Sequence, residues 1–389
     1  MPELLRSAAK VLVLGAAGGF GRRILRSLAV TTDLPLIAMG RHAATLEALA
    51  LEVGSARVRV EVCDATSINA KYLRALAPAV VIDTVGPFQW RDRSLATLCI
   101  SLGIHYIDLA DDRRYVAQID TLNASARAAG VLVVSGASTV PALSSAVVDE
   151  LKAGITGNFT LDIGISPGFR GPRGIATIRS VLSYVGRPIP VWRAGSMRES
   201  IGWSERRTYR YPPPVGPRDL SLVDVPDVAL FPQRYAGLSG LDIRAGLEVS
   251  FVHRSLGLLG WLVRASALQN LQPLAPWLKR AANVFDRFGS DRGAMHVSLL
   301  GTDSVKGPVR RTWTLVAGRG DGPEIPGTAA ALLTRKLLGR ENDRPLSTRG
   351  AMPCVGLITL REFEHEWRRL DIHIQRDEEP IGAGNPAGY

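Results

Sequence analysis

Two kinds of hydrophobic patterning alternate over residues 1–150. Short apolar runs typical of buried β-strands are separated by segments whose apolar residues recur at helical spacing, as at Phe20, Ile24 and Leu28. The apolar runs lie at 11–14, 34–39, 58–62, 79–83, 106–109 and 131–135. Because short strands that alternate with helices form parallel sheets covered on both faces, this pattern predicts an α/β fold with an N-terminal, doubly wound parallel sheet of Rossmann type.

The pattern changes after residue 150. Glycine and proline become frequent, and polar and apolar residues alternate at 160–166, 247–252 and 312–317, which predicts further strands. We therefore expect a second, mixed α/β (α+β) domain for substrate binding or dimerisation over 151–340. The segment at about 340–375 is expected to pack back on the first domain, and 376–389 is expected to be a disordered tail.

Residues 251–285 carry an apolar stripe at helical spacing with basic residues beside it, namely Arg254, Arg264, Lys279 and Arg280. A helix in the domain core or in a homodimer interface requires such a stripe, and this is the favoured interpretation. A helix that rests on a membrane surface requires the same pattern, so a membrane partner stays open as an alternative.

The first predicted strand ends in a glycine-rich turn, GAAGGFG, in which Gly15, Gly18 and Gly21 form GxxGxxG. The first glycine permits a sharp turn, the second lets a pyrophosphate approach the backbone, and the third lets helix and strand pack closely. Free N–H groups at the helix start then face the anion. A glycine-rich turn alone is a weak signal, but its place on the first strand of a βαβ series predicts dinucleotide binding. The predicted contacts are Gly15, Ala17, Gly18, Gly19, Phe20 and Gly21.

Arg41 stands at the end of the second predicted strand, in MGRH. NAD enzymes usually carry an acidic residue near this point to bind the ribose 2′-hydroxyl, and none is present here. Arg41 could instead pair with a 2′-phosphate, so NADP is favoured over NAD, although an exposed arginine at a helix start is the simpler alternative.

Three further loops follow predicted strands. Asp64 could contact adenine or cap a helix. Gly86, Pro87 and Phe88 would lie beside the nicotinamide ribose, although a rigid Gly-Pro turn needs no cofactor to explain it. Ser138, in a run of small residues, would let the chain pass close to the nicotinamide ring, or would belong to an ordinary capping sequence.

Candidate catalytic residues are few. Asp111 and Asp112 follow the fifth predicted strand and could orient a substrate or supply a proton, but could equally cap the helix through Tyr115. Tyr184, in the second predicted domain, is a possible proton donor, or a packing residue. No Cys/His cluster indicates a metal site.

The amino-acid composition indicates which classes of ligand and partner the protein is suited to bind. The formal net charge is +11, and only six of the 47 basic residues are lysine, so arginine dominates. Arginine suits carboxylate and phosphate ligands, which favours an anionic small molecule. No clustered basic run with interleaved aromatic residues indicates nucleic acid. Three dispersed cysteines, and no N-terminal apolar leader or membrane-length apolar run, lead us to expect a cytoplasmic protein.

Several phrases together resemble the saccharopine dehydrogenase-like NAD(P)-binding oxidoreductases. These are GAAGGFG (15–21), VVIDTVGPF (80–88), GIHYIDLADD (103–112) and SGASTVPALSSAVVDEL (135–151), with fainter likeness at 313–326 and 351–364. The resemblance implies a Rossmann domain, a nicotinamide cofactor that is commonly NADP, and a second domain that closes over the substrate. It also implies hydride transfer at a C=N bond. By position, the 15–21 turn, Arg41 and the 86–88 loop would hold cofactor, and the 108–112 and 138–143 loops would border the active site.

We therefore expect an NADP-dependent oxidoreductase that acts on a C=N or C=O bond of an anionic small molecule. Two alternatives stay open. One is a non-catalytic NADPH-binding sensor or assembly protein. The other is a membrane-associated, lipid-directed reductase.

Overall fold

The computed structural model describes residues 9–54, 56–171, 174–266, 268–339 and 345–381. The chain divides into two compact units, each built from two stretches of sequence. The first unit comprises Met1–Ala142 and Glu324–Ile358, and the second comprises Leu143–Pro323 and Thr359–Tyr389. The chain therefore leaves the first unit, returns to it, and leaves it again.

Strands and α-helices are distributed over both units. The strands are β1 (Lys10–Leu14), β2 (Leu36–Gly40), β3 (Val58–Val62), β4 (Pro78–Asp83), β5 (His105–Asp108), β6 (Leu132–Ser135), β7 (Ile155–Ser166), β8 (Pro188–Arg193), β9 (Ser196–Ile201), β10 (Arg207–Arg210), β11 (Pro217–Leu222), β12 (Leu238–Ala245), β13 (Gly293–Asp303), β14 (Gly307–Ala317), β15 (Gly350–Pro353) and β16 (Ile372–Pro380). The α-helices are α1 (Gly21–Thr31), α2 (Ala43–Val53), α3 (Ala70–Leu76), α4 (Ser94–Ser101), α5 (Arg113–Ala117), α6 (Asn123–Ala128), α7 (Ser144–Leu151), α8 (Ile175–Tyr184), α9 (Asp227–Arg234), α10 (Ser250–Arg264), α11 (Ala275–Val284), α12 (Ile325–Leu338) and α13 (Leu360–Glu366).

The first unit contains a seven-stranded sheet in the order β15-β6-β5-β4-β1-β2-β3. Every neighbouring pair is parallel. The order reverses direction between β1 and β4, which is the arrangement of a doubly wound sheet. The predicted Rossmann-type fold is therefore confirmed, and the six predicted strands coincide with β1 to β6 to within two residues.

The stretch that returns to the first unit differs from the predicted 340–375. It starts with α12, which packs on α1 so closely that a Cβ on Gly327 would lie 3.0 Å from Ile24 Cγ1. It ends after β15, which extends the sheet by pairing with β6. Helix α12 is buried on almost all sides, and its side chains are mostly apolar. Because it has no single apolar face, its sequence alone does not reveal which sheet it packs against.

The second unit contains a nine-stranded sheet. Seven strands follow the order β10-β11-β12-β7-β13-β14-β16, with β8 paired to β12 and β9 to β8. β7 and β12 are parallel, whereas β7 and β13, and β13 and β14, are antiparallel. The predicted mixed domain is thus confirmed.

Two predictions for this unit are wrong. Residues 247–252 form no strand, because the chain turns there into α10 and the buried side of the turn is held by Glu248. That carboxylate accepts N–H groups of Phe169 and Ser290, both at 2.8 Å. Residues 376–380 are part of β16, pinned by Arg376 Nε donating to Glu150 Oε1 at 2.8 Å, rather than a disordered tail. Residues 382–389 lie outside the described part of the chain.

No helix in the described part of the chain is both long and apolar enough to cross a bilayer.

Candidate dinucleotide-binding site

The carboxyl edge of the parallel sheet gathers the loops that the sequence singled out. Gly15 follows β1, Arg41 follows β2, Asp64 follows β3 soon after its end, and Thr84 follows β4. Successive strands are added on one side of β1 up to β3 and on the other side from β4 onwards. The loops after β1 and β4 therefore diverge, and a crevice opens between them. Thr84 Oγ1 donates to the Leu14 carbonyl at 2.7 Å, and this hydrogen bond joins the loop after β4 to the end of β1.

Two glycines of the turn are required by the fold itself. Gly15 has φ +73°, and a Cβ there would lie 2.7 Å from Thr84 Oγ1. A Cβ on Gly21 would lie 2.3 Å from the Gly15 carbonyl oxygen. Both positions therefore exclude any larger residue, which is the steric reason for the first and third glycines of the motif.

Gly19 is different, because a Cβ added there would meet no atom within 4 Å. The space beside its backbone is open, and no packing requirement of the described residues explains the glycine. The N–H groups of Gly19, Phe20 and Gly21 donate to no described residue, and α1 starts at Gly21. Unpaired N–H groups at the start of an eleven-residue helix beside open space suit a pyrophosphate.

The first turn of α1 adds positive charge rather than negative. It contains no acidic residue, and Arg22 has a buried Nε with no acceptor among the described residues. The neighbouring Arg23 is already engaged, since it donates to the Gly19 carbonyl at 2.6 Å and pairs with Glu324 at 2.9 Å. Sequence reasoning missed Arg22, although its place directly after the third glycine could have identified it. The residues present therefore fit a dinucleotide.

Arg41 is exposed immediately after β2, with no carboxylate at the end of that strand. Asp64 follows the next strand, β3, and it caps a 3-10 turn by accepting from Thr66 N at 2.9 Å. Hydrogen bonds from the Thr66 N–H and hydroxyl, followed by the charge of Arg41, hold the pKa of Asp64 below its usual range. Of the two roles predicted for Asp64, the structure shows the cap.

The loop after β4 is braced by a buried ion pair. Asp83 is fully buried, and Arg91 Nη1 lies 2.7 Å from its Oδ2 and donates to the Val85 carbonyl at 2.7 Å. Burial works against the charge of Arg91, but the Asp83 carboxylate raises the pKa of the guanidinium overall. This pair fixes the course of the chain into Gly86 and Pro87, and the sequence did not single it out. The sequence does contain a signal for it, because a charged residue that ends an apolar strand, as Asp83 does in VVID, indicates a buried charge that needs a partner.

The Phe88 side chain is buried. It is 4% exposed, and its ring packs 5.2 Å from that of Tyr115. The structure shows a packing role for Phe88 in the first unit, and contact of Gly86, Pro87 or Phe88 with the cofactor stays a prediction.

Asp108 organises the two loops that follow β5 and β6. It is fully buried, and its Oδ1 accepts from Ser135 Oγ at 2.8 Å, Ala110 N at 2.9 Å and Gly136 N at 3.0 Å. Burial raises the pKa of Asp108 to about 7, against the effect of these hydrogen bonds. The loop that contains Ser138 is thereby tied to the loop that contains Asp111 and Asp112.

The two candidate catalytic aspartates are both half-buried and both have partners. Asp112 is the N-cap of α5 and accepts from Tyr115 N at 2.7 Å. Asp111 accepts from Gln89 Nε2 at 3.3 Å. The alternative capping role of Asp112 is thus observed, and a role in proton transfer remains a prediction for either residue.

Tyr184 belongs to the second unit. It is the last residue of α8, and its side chain packs against a cluster of buried apolar residues formed by Ile189, Val191 and Leu222. The structure shows its packing role, and proton donation by its hydroxyl stays a prediction.

The open face of the second sheet carries a polar cleft of about 970 Å³ that the sequence did not reveal. Four arginines line it, Arg207, Arg210, Arg244 and Arg310, together with the carboxylates of Asp162, Asp377 and Glu379. Buried His296 stacks on Tyr209 with ring centroids 3.6 Å apart, and its Nδ1 lies 3.0 Å from Tyr211 Oη. Arg244 already pairs with Asp242 at 3.0 Å and with Asp162 at 3.4 Å, and Arg207 pairs with Asp242 at 3.5 Å. Across the described residues, no group of three or more His, Cys, Asp or Glu side chains is arranged to hold a metal ion.

Comparison with known proteins decides the type of the first unit. Residues 11–134 match the family described as the saccharopine dehydrogenase NADP binding domain. Over these residues the chain is similar to that domain. The predicted resemblance is therefore confirmed over this range. The matched range contains the glycine turn, Arg41 and the loops after β3, β4 and β5.

Solved structures resemble the chain only distantly. An amine dehydrogenase from Mycobacterium smegmatis is 11% identical with a TM-score of 0.43, over 89% of this chain and 94% of that one. A dehydrogenase from Chromobacterium violaceum is 12% identical with a TM-score of 0.38, over 92% of this chain and 84% of that one. At these values the likenesses say nothing about the substrate. A search of curated protein sequences gives no match.

Proposed function

We propose that this protein is an NADP-dependent oxidoreductase of the saccharopine dehydrogenase-like type, which transfers hydride to or from a C=N or C=O bond of an anionic small molecule. The single observation that carries the cofactor part is the glycine turn, with Gly19 beside open space and three unpaired N–H groups at the start of α1. When bound, the nicotinamide would supply or accept the hydride.

The residues of the chain would divide the work of binding among them. The N–H groups of Gly19, Phe20 and Gly21 would donate to the pyrophosphate, and the Arg22 side chain would add positive charge nearby. The loops tied together by Asp108 would exclude water from the reacting carbon and keep the backbone close to the ring. Proton transfer would fall to Asp111 or Asp112, to Tyr184, or to a water molecule.

The preference for NADP rests on Arg41. A guanidinium forms paired, charge-assisted hydrogen bonds with phosphate, whereas a ribose 2′-hydroxyl is usually bound by a carboxylate. The end of β2 offers the first group and not the second. Asp64, fixed by Thr66, would keep its negative charge beside Arg41 and help to orient the guanidinium.

The anionic class of substrate is supported by the excess of arginine and by the cleft of the second unit, in which four arginines outnumber three carboxylates. Tyr209 and His296 would add a flat surface for a planar group. A cytoplasmic location, supported by three free cysteines, and a homodimer belong to the same proposal.

Fluorescence titration with NADPH and NADH tests the cofactor assignment. We expect Arg41→Ala to weaken NADPH binding by about 10- to 100-fold, since a hydrogen bond to a charged group contributes about 1.5–3 kcal/mol. NADH binding should stay within about twofold, because NADH has no 2′-phosphate for Arg41 to bind.

The matched control is Arg74→Ala, which removes the same charge from the exposed end of α3. That helix leads into β4, so the control lies at the amino edge of the sheet and should leave both affinities unchanged. Equal affinity of the wild-type protein for NADPH and NADH, or an equal loss of both in Arg41→Ala, would refute the NADP assignment.

A further inference from the structure

Helices α10 and α11 present large apolar side chains to solvent. Within α10 only His253 and Gly260 are fully buried, and within α11 only Ala275. The exposed set comprises Phe251 (48%), Leu258 (61%), Trp261 (62%), Trp277 (67%), Val284 (66%) and Phe288 (57%). A single exposed apolar residue is ordinary, but six within 38 positions, two of them tryptophan, form an unusual surface.

These side chains fall on defined faces. Phe251, Leu258 and Trp261 are spaced by seven and three positions, which places them on one stripe of α10. Trp277 and Val284 are likewise seven apart on α11. The opposite side of α10 is held to the unit, since a Cβ on Gly186 would lie 2.2 Å from the Gly260 carbonyl oxygen. The apolar stripes therefore face outwards because the helices are anchored by their other sides.

An aromatic cluster joins the two helices. The rings of Phe251 and Phe285 have centroids 4.8 Å apart, and Phe288 lies 6.2 Å from Phe251. The start of α10 and the end of α11 are thus in contact. The two exposed stripes meet at this cluster, and we call the combined surface the α10–α11 face.

The charge on this face is strongly positive. Residues 250–289 contain five arginines and lysines, and Asp286 is the one acidic residue, so the net charge is +4. The basic residues are Arg254, Arg264, Lys279, Arg280 and Arg287. Arg254 Nε already donates to Asp219 Oδ2 at 3.2 Å, so the charge available to a ligand comes from the other four. Two of them lie over exposed aromatic rings, Arg280 at 5.3 Å from the Trp277 centroid and Arg287 at 4.7 Å from the Phe288 centroid.

The chemistry of the face distinguishes its possible occupants. A second copy would bring another +4 charge against the first, and cores of protein interfaces are depleted in charged residues. An anionic lipid surface supplies the opposite charge, while its headgroup region accepts tryptophan and phenylalanine side chains and leaves arginine and lysine at the phosphate level.

We propose that the α10–α11 face docks on the surface of an anionic membrane. The aromatic and leucine side chains enter the boundary between headgroups and acyl chains, and the basic side chains pair with lipid phosphates and carboxylates. Docking holds the protein on the bilayer without any helix crossing it. The proposal is independent of the cofactor and the substrate.

Vesicle co-sedimentation tests the proposal. We expect the full chain to pellet with phosphatidylcholine vesicles that contain about 30% phosphatidylserine, and to pellet about tenfold less with pure phosphatidylcholine. The double variant Trp261→Ser, Trp277→Ser should lose about tenfold or more of its binding to the anionic vesicles. Raising NaCl from about 0.1 to about 0.5 M should weaken wild-type binding, since salt screens the charges.

Trp90→Ser is the matched control, because Trp90 is 57% exposed in the first unit. It should pellet like the wild type, and circular dichroism should show that all variants are folded. Failure of the wild type to pellet, or equal pelleting of the wild type and the double variant, overturns the proposal. So does a wild-type dimer in sedimentation equilibrium that the double variant turns into a monomer without any vesicle binding, since the face is then an interface between copies.

Discussion

At the scale of single residues, the first unit contains carboxylates with different roles that the sequence alone does not distinguish. Asp108, Asp111 and Asp112 stand close together in the chain, and the sequence predicted a joint role at the end of a strand. The structure separates them, because Asp108 is a buried acceptor for two loops whereas Asp112 caps a helix. Burial depends on the neighbours that a residue meets in the folded chain, so a local pattern cannot distinguish these roles.

The pH dependence of stability should report on Asp108. Burial raises its pKa from 3.8 to about 7 in the folded state, so the folded state binds the extra proton between these values. Burial lowers the pKa of His105 and of His253 to about 4, so these two groups raise the free energy of unfolding as pH rises. Asp108 acts against them, since its own contribution to the free energy of unfolding should fall as pH rises from about 4 to about 7 and level off above. Asp227 in the second unit, with a pKa raised by burial to about 7, contributes in the same direction.

Urea unfolding at several pH values measures this effect. Asp108→Asn removes the negative contribution of Asp108, so the slope of the unfolding free energy against pH should be more positive than that of the wild type over the window from about 4 to about 7. Asp33→Asn should leave the slope unchanged, since the Asp33 side chain is 98% exposed. An Asp108→Asn protein with the wild-type slope would show that Asp108 does not hold a proton in the folded state.

Asp112 allows its cap and its predicted chemistry to be separated. Asparagine caps helices about as well as aspartate, so Asp112→Asn should keep the melting temperature, whereas Asp112→Ala should lose about 1 kcal/mol of stability. If Asp112 also transfers the proton, Asp112→Asn should lower kcat by about 100-fold or more. Unchanged kcat in Asp112→Asn would restrict the residue to the cap and leave Asp111, Tyr184 or water as the proton donor.

At the scale of elements, the glycine turn joins a steric requirement to a binding surface. The sequence predicted the turn, the strand before it and the helix after it, because the three glycines and the change from strand to helix periodicity are local signals. It could not show which glycines serve packing and which leave space, since that depends on Thr84 and on the path of the backbone. The strand predicted at 247–252 is wrong for a similar reason. Polar and apolar residues alternate there, but the polar residue Glu248 holds a loop through hydrogen bonds to distant backbone groups.

Substitution of single glycines should reveal this division. Gly21→Ala places a methyl group 2.3 Å from the Gly15 carbonyl oxygen and should destabilise the first unit by about 1–3 kcal/mol. Gly19→Ala meets nothing within 4 Å and should change stability by less than about 0.5 kcal/mol. Thermal unfolding compares the two variants, and equal destabilisation by both would mean that the space beside Gly19 is not open.

At the scale of the whole molecule, the chain builds each unit from two stretches. The alternation of strands and helices predicted the first sheet well, since a parallel sheet leaves a clear local signature. The segment that returns to the first unit was predicted at about 340–375 and lies at Glu324–Ile358. The last part of β16 was predicted to be a disordered tail. The residues of β16 alternate weakly, and their pairing partner, β14, lies more than 50 residues away in sequence.

Truncation tests the role of the last strand. Ending the chain after Asp371 removes β16, leaves β14 as an unpaired edge and deletes the Glu378 carboxylate that Arg311 Nε contacts at 2.8 Å. We expect this protein to aggregate or to unfold at lower urea concentration. A chain that ends after Ile381 keeps every described strand and serves as the control, and equal stability of the two truncations would contradict the role given to β16.

The central claim is that the backbone after β1 binds a dinucleotide, and calorimetric titration of NADPH tests it most directly. We predict one NADPH bound per wild-type chain, and about tenfold weaker binding by Gly19→Ala at an unchanged melting temperature, because a methyl group would occupy the space that the pyrophosphate needs. No heat of binding with the wild type, or equal affinity of the wild type and Gly19→Ala, would contradict the account.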